Sequence, residues 1–68
     1  MKAKRGEYWY VKLKGGQTVF PVLVADVTKA TVLIKDYRDI SLYGEGSRYQ
    51  HKDIAMVEQV TKTVMEKP

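Results

Sequence analysis

No cysteine occurs among the 68 residues, which excludes a disulfide framework and a thiolate zinc site as supports for the fold. The single histidine, His51, leaves no His–His metal pair and no Cys–His couple. No apolar run approaches the eighteen or so residues that a membrane-spanning helix needs. The basic start MKAKRGEYWYVK has neither an apolar segment nor a small-residue cleavage site behind it. These absences lead us to expect a cytoplasmic setting, no membrane partner and no metal or other cofactor. A chain this short forms one domain, whose core supplies only roughly 3–5 kcal/mol.

Catalytic chemistry finds equally little footing. Asp36 and Asp39 can approach each other around a turn, but nothing in the pattern gives a carboxylate pair a shared apolar pocket, so they read as solvated turn residues. Gly44 and Gly46 lack the following helix and lysine of a phosphate-cradling loop. The expectation is a protein that is not an enzyme.

What is present is a hairpin. EYWYVKLK and QTVFPVLVADV, rich in β-branched and aromatic residues, flank Gly15-Gly16, and this predicts two antiparallel strands joined by a two-residue type I′ turn. Lys14 then pairs with Gln17, Val11 with Phe20 and Trp9 with Val22. Trp9, Val11, Leu13, Phe20, Val22 and Val24 collect on one face as the core. Tyr8, Tyr10, Lys12, Lys14, Gln17, Val19, Pro21 and Leu23 take the other. A slip of one residue would mix the two sets, so the pattern specifies the register.

A polar interruption at Thr28-Lys29, too short for a helix, brings a third strand (residues 30–37) back beside the second. Arg38-Asp39 reads as a turn, residues 40–43 as a fourth strand, and Gly44-Glu45-Gly46-Ser47 as a loop, after which Arg48-Tyr49-Gln50 resumes a strand. Beyond it, Asp53 could cap a helix carrying Met56, Val57, Val60 and Val64 on one face. The β-branched residues instead favour a single helical turn at 52–55, a last strand at 56–60 and a frayed tail at 61–68. The organisation expected is a flexible basic arm over residues 1–6, a barrel over 7–60 and the tail. The fold class is all-β: about five antiparallel strands with one short helical turn before the last, as in an SH3-like barrel.

The segment WYVKLKGGQTVFPVLVADVTKATVLIKDYRDI resembles the Tudor branch of the SH3-like barrels. Residues 9–13, the glycine pair, and residues 19–27, 32–37 and 52–54 stand where that pattern puts its strands and its late Asp-Ile. Tudor domains that read methylated Lys or Arg hold the cation in an aromatic cage fed in part by the first turn. Gly15-Gly16 supplies no aromatic there, and Arg38-Asp39 stands where Gly-Asn often follows Asp-Tyr. The resemblance therefore implies the fold rather than methyl reading.

The net charge of +4 is unevenly spread. Lys2, Lys4, Arg5, Lys12 and Lys14 face only Glu7 in the first fourteen residues, whereas bases and acids cancel from Lys35 onward. Local basic excess favours polyanions through counterion release, and also simply keeps small domains soluble. Small barrels bind single strands by stacking bases on aromatics while cations follow the phosphates. Lys4, Arg5, Tyr10, Lys12, Lys14, Arg38 and Arg48 are the candidate nucleic-acid contacts, for DNA or RNA, with Tyr8, Tyr37, Tyr43 and Tyr49 as a candidate aromatic surface. The alternative is a protein-interaction adaptor that holds a peptide or partner protein in an aromatic groove or along a strand edge. A homo-oligomer is a further expected way of covering the edges.

Overall fold

The computed structural model describes residues 1–39, 41 and 43–60. Five antiparallel strands form one sheet: β1 (Tyr8–Leu13), β2 (Val19–Val27), β3 (Thr31–Asp36), β4 (Ser47–Gln50) and β5 (Ile54–Val60). Their spatial order is β4-β3-β2-β1-β5, so the chain meanders through four strands and then returns to the outer side of the first. A single 3-10 turn, His51–Asp53, makes that return immediately before β5. β4 and β5 are the two edges, and the sheet does not close through hydrogen bonds.

The hairpin register is as the alternation demands, with Trp9 opposite Val22 and Val11 opposite Phe20. The turn differs from the expected two-residue loop. The ladder stops at Lys12 and Val19, and Gly16 donates its N–H to the Leu13 carbonyl at 2.9 Å. Within this turn only Gly15 has a positive φ, +82°. A four-residue turn with one such residue in its third place is of type II rather than I′. The Lys14 N–H, which the expected ladder would have placed opposite Gln17, instead bonds to the Asp53 carbonyl at 2.9 Å. The turn is thereby tied to the return before β5.

Two register shifts bend the sheet: one between β1 and β5 at Tyr10/Val11, one between β2 and β3 at Val24/Asp26. An extra residue on one strand increases local twist. The strands curl around a core of Trp9, Val11, Val22, Val24, Val32, Ile34 and Ile54, with Leu13, Phe20, Val27, Tyr49 and Met56 packed at its margins. This is the hairpin face expected to be apolar. For β3, the ladder also settles the orientation that its own residues left open: Val32 and Ile34 point inward.

The outer face is partly covered as well. Tyr8 lies opposite both Leu23 and Val60, and these three form a second buried cluster against which Tyr10 packs. Lys35 continues that row from β3, opposite Leu23. Its side chain is only 3% exposed, and its ammonium is held 2.9 Å from the Asp39 carboxylate and by the Ser41 and Tyr43 carbonyls. The loop after β3 is drawn back over the outer face by this one cation.

Residues 40–43 were expected to form the fourth strand. Ile40 and Leu42 lie outside the described residues, and Ser41 and Tyr43 are in no strand; the fourth strand is Ser47–Gln50. The helical turn sits one residue earlier than expected and the last strand starts two residues earlier, at Ile54. The segment expected as an arm is hydrogen-bonded to the sheet. Gly6 N–H donates to the Val24 carbonyl at 2.8 Å, and Ala3 is 2% exposed within the core. The tail, 61–68, lies outside the described residues.

Candidate binding surfaces

The expected cations separate into two kinds. The arginines are engaged by the protein itself. Arg38 grips Asp36 with two parallel bonds, 3.0 and 2.8 Å, and lies over the Tyr37 ring at 5.7 Å. That contact holds the Asp36 carboxyl down at about 2. Arg48, on β4, reaches the Thr31 hydroxyl at 2.9 Å and Asp26 at 3.3 Å, and so links the edge strand to β2. Arg5 donates to the Ala25 carbonyl at 3.1 Å and lies 5.7 Å from the Tyr43 ring.

Lys4, Lys12 and Lys14 are exposed and have no ion pair among the described residues. Lys12 shares the outer face with Tyr10, two residues back on β1, and Lys14 follows in the turn. Arg48 lies three strand spacings away, about 14 Å, so the seven nominated residues do not converge on one site.

The aromatic surface is likewise divided. Tyr8 is buried, contrary to its expected place on the surface, because Leu23 and Val60 flank it across both ladders. Tyr43 is 78% exposed and Tyr37 is also exposed, whereas Tyr49 is half-buried against the core.

Tyr49 belongs to a feature that reading the residues in order did not reveal. An open groove of about 310 Å³ lies between the start of β2 and the start of β4. Phe20 and Tyr49 supply its aromatic walls, Val22 and Ile34 its apolar floor, and Asp36 and Glu45 its acidic members. The groove exists because β2 is longer than β3. The β2–β3 ladder runs out at Val22 and Asp36, which leaves Phe20 and Pro21 without a β3 neighbour. Pro21, which has no N–H to leave unpaired, suits that unladdered stretch. Phe20 was legible as a core residue only, since nothing local says where β3 ends.

Two further carboxylates serve the fold. Glu7 Oε1 accepts the Trp9 indole N–H at 3.0 Å and the Lys4 N–H at 2.8 Å. The indole bond is the main reason its carboxyl lies below the ordinary range. Asp39 is lowered chiefly by its bond to Lys35. No group of three His, Cys, Asp or Glu able to hold a metal occurs among the described residues, and no helix among them is long and apolar enough to cross a membrane. Comparison of the chain with protein-family models, with curated proteins and with solved structures finds no match to any of them.

Proposed function

We propose that this chain is a small non-enzymatic barrel of SH3-like, Tudor-like type that binds an extended segment of a partner protein. The observation that carries this reading is the groove of Phe20, Val22, Ile34 and Tyr49. It is apolar, open, and at the small end of the range for ligand pockets. That size suits a side chain or two rather than a cofactor. Glu45, a carboxylate of the groove with no ion pair among the described residues, favours a segment that carries a basic residue beside its apolar anchor. Strand order and the single turn before β5 support the barrel type, as does the two-faced packing of the first hairpin.

A second reading is favoured by one specific observation: Tyr10, Lys12 and Lys14 stand together, with both lysines free of acidic partners among the described residues. This is the stacking-plus-cation pattern of single-strand binders. Titration of labelled protein with a peptide panel and with oligonucleotides, at low and high salt, separates the two. A groove-bound peptide should shift the Phe20, Gly46 and Tyr49 signals, with an affinity that changes little with salt. Phe20→Ala should abolish that binding. Nucleic acid should instead perturb Tyr10 and Lys12 and weaken steeply with salt, by roughly 0.7 in log–log slope per phosphate neutralised on a single strand. Binding that Phe20→Ala leaves intact but Lys4→Gln, Lys12→Gln and Lys14→Gln together remove would displace the partner-protein reading.

A further inference from the structure

Independently of the groove, a second and more open surface hollow of about 260 Å³ is lined by Met1, Lys2, His51 and Met56. His51 is fixed from two sides. Its backbone N–H donates to the Ala30 carbonyl at 3.0 Å, and its ring Nε2 lies 2.9 Å from the Thr31 carbonyl. A carbonyl oxygen can only accept, so Nε2 carries the proton and Nδ1 of the neutral ring keeps its lone pair. Nδ1 has no hydrogen-bond partner among the described residues, yet it is not among buried unsatisfied atoms, so it is open to solvent.

Met56 is half-buried, opposite Val11 on β1 and packed against the core, while Met1 is exposed at the chain's start. The lining of this hollow thus includes two methionines and a histidine with an oriented ring, and no Asp or Glu. Hard cations such as Mg²⁺ and Ca²⁺ need oxygen ligands, and structural zinc sites need four nitrogen or sulfur donors with thiolates among the commonest. Neutral, polarizable thioethers with an imidazole suit a soft monovalent ion instead. We propose that Met1, Met56 and His51 Nδ1 form a binding site for a soft monovalent metal ion of the copper(I) class. The side-chain cation on the wall, Lys2, has its ammonium over the Trp9 ring, 5.8 Å from the centroid. The ring face attracts that charge.

The test uses the full chain and silver(I), a redox-stable ion of the same class, in halide-free buffer. Methionine methyl and histidine ring signals are followed by NMR. One equivalent should shift the Met1 and Met56 methyls together with the His51 ring, and zinc(II) should leave all three in place. Met56→Leu, which conserves volume, and His51→Gln should each weaken silver binding at least tenfold. Lys2→Gln should tighten it by removing the opposing charge. Because Met56 contributes to packing, Met1→Leu, made behind a cleavable tag at an exposed position, provides a variant that cannot fail through the core. Silver that binds equally well to Met1→Leu and His51→Gln, or that shifts the methyls without the imidazole, would overturn the site.

Discussion

Gly46 lies one residue before β4, and a side chain there has nowhere to go. A Cβ built on its backbone would stand 2.6 Å from the Ile34 carbonyl oxygen, 2.9 Å from Lys35 Cγ and 3.2 Å from Leu33 Cδ1. Carbon–oxygen contacts settle at about 3.3 Å or beyond, so the closest of these is short by more than half an ångström. The oxygen belongs to backbone that pairs with Ser47 in the β3–β4 ladder, and cannot swing aside as a flexible side chain would. Gly46 does not have a positive φ, so the effect of alanine is steric alone. Relief requires β4, a four-residue edge strand, to lift away from β3. Overpacking of this kind costs about 1–3 kcal/mol, and a weakened ladder bond adds about 1 kcal/mol. In a domain this small, Gly46→Ala should therefore lower the melting temperature by roughly 8–32 °C, at about 4–8 °C per kcal/mol. Thermal unfolding followed by far-UV circular dichroism measures this directly, and amide exchange should show the loss first at Leu33 and Ser47. A variant that melts within a few degrees of the parent would show that β4 does not run close along β3 here.

Gly15→Ala should cost about 1 kcal/mol because its φ is positive, although the space around it is open; Gly16→Ala should cost less, and equal costs in urea titrations would restore the type I′ turn. Trp9→Ala should cost roughly 3–5 kcal/mol and leave little folded protein, whereas the half-buried Phe20→Ala should cost about 2 kcal/mol and still unfold cooperatively; a reversed order in the same titrations would invert the two environments. Acid should destabilise the fold, since Glu7, Asp36 and Asp39 all have carboxyls lowered from ordinary values of 4.5, 3.8 and 3.8. The unfolded chain binds more protons in that range, so the contribution of these groups is complete above about pH 4.5 and is lost as pH falls towards about 2. Glu7→Gln should flatten the upper part of that loss in a pH series of melts, and a series unchanged by the substitution would remove Glu7 from the account.

The first hairpin was legible because a period of two leaves a single register that buries Trp9, Val11, Phe20 and Val22 together. Its turn was not, because the choice between one and two residues of positive φ depends on a tertiary contact, the bond from Lys14 to the Asp53 carbonyl 39 residues on. The last strand was legible in outline from the β-branched residues that disfavour a helix. The strand expected at residues 48–50 is β4, Ser47–Gln50; of the additional strand expected at 40–43, the described members Ser41 and Tyr43 are in no strand. Lys35 gave no local sign of burial, since a lysine in alternation reads as solvent-facing. What buries it is the ring of loop carbonyls that returns to it. The groove escaped for a related reason: it is made by the unequal lengths of β2 and β3, a property of pairing and not of any one segment.

The division of labour among the cations follows from their chemistry. A guanidinium is planar and forked, loses less hydration than an ammonium, and is suited to fixed geometry. Arg38, Arg48 and Arg5 are all used that way, on a carboxylate, across strands and on a carbonyl respectively. The lysines, compact and strongly hydrated, stay in water at positions 4, 12 and 14, and Lys35 is the one drawn inside. Charge removed at Lys4, Lys12 and Lys14 therefore alters the electrostatic surface without touching a side-chain contact that holds the sheet. Charge removed at the arginines would do both at once. A loss of nucleic-acid binding in an arginine variant would be ambiguous between surface and fold, whereas the same loss in the triple lysine variant would report on the surface alone. The groove offers the complementary separation. Phe20 lies at the margin of the core, so its truncation removes an aromatic wall while Trp9, Val11 and Val24 continue to hold the sheet together.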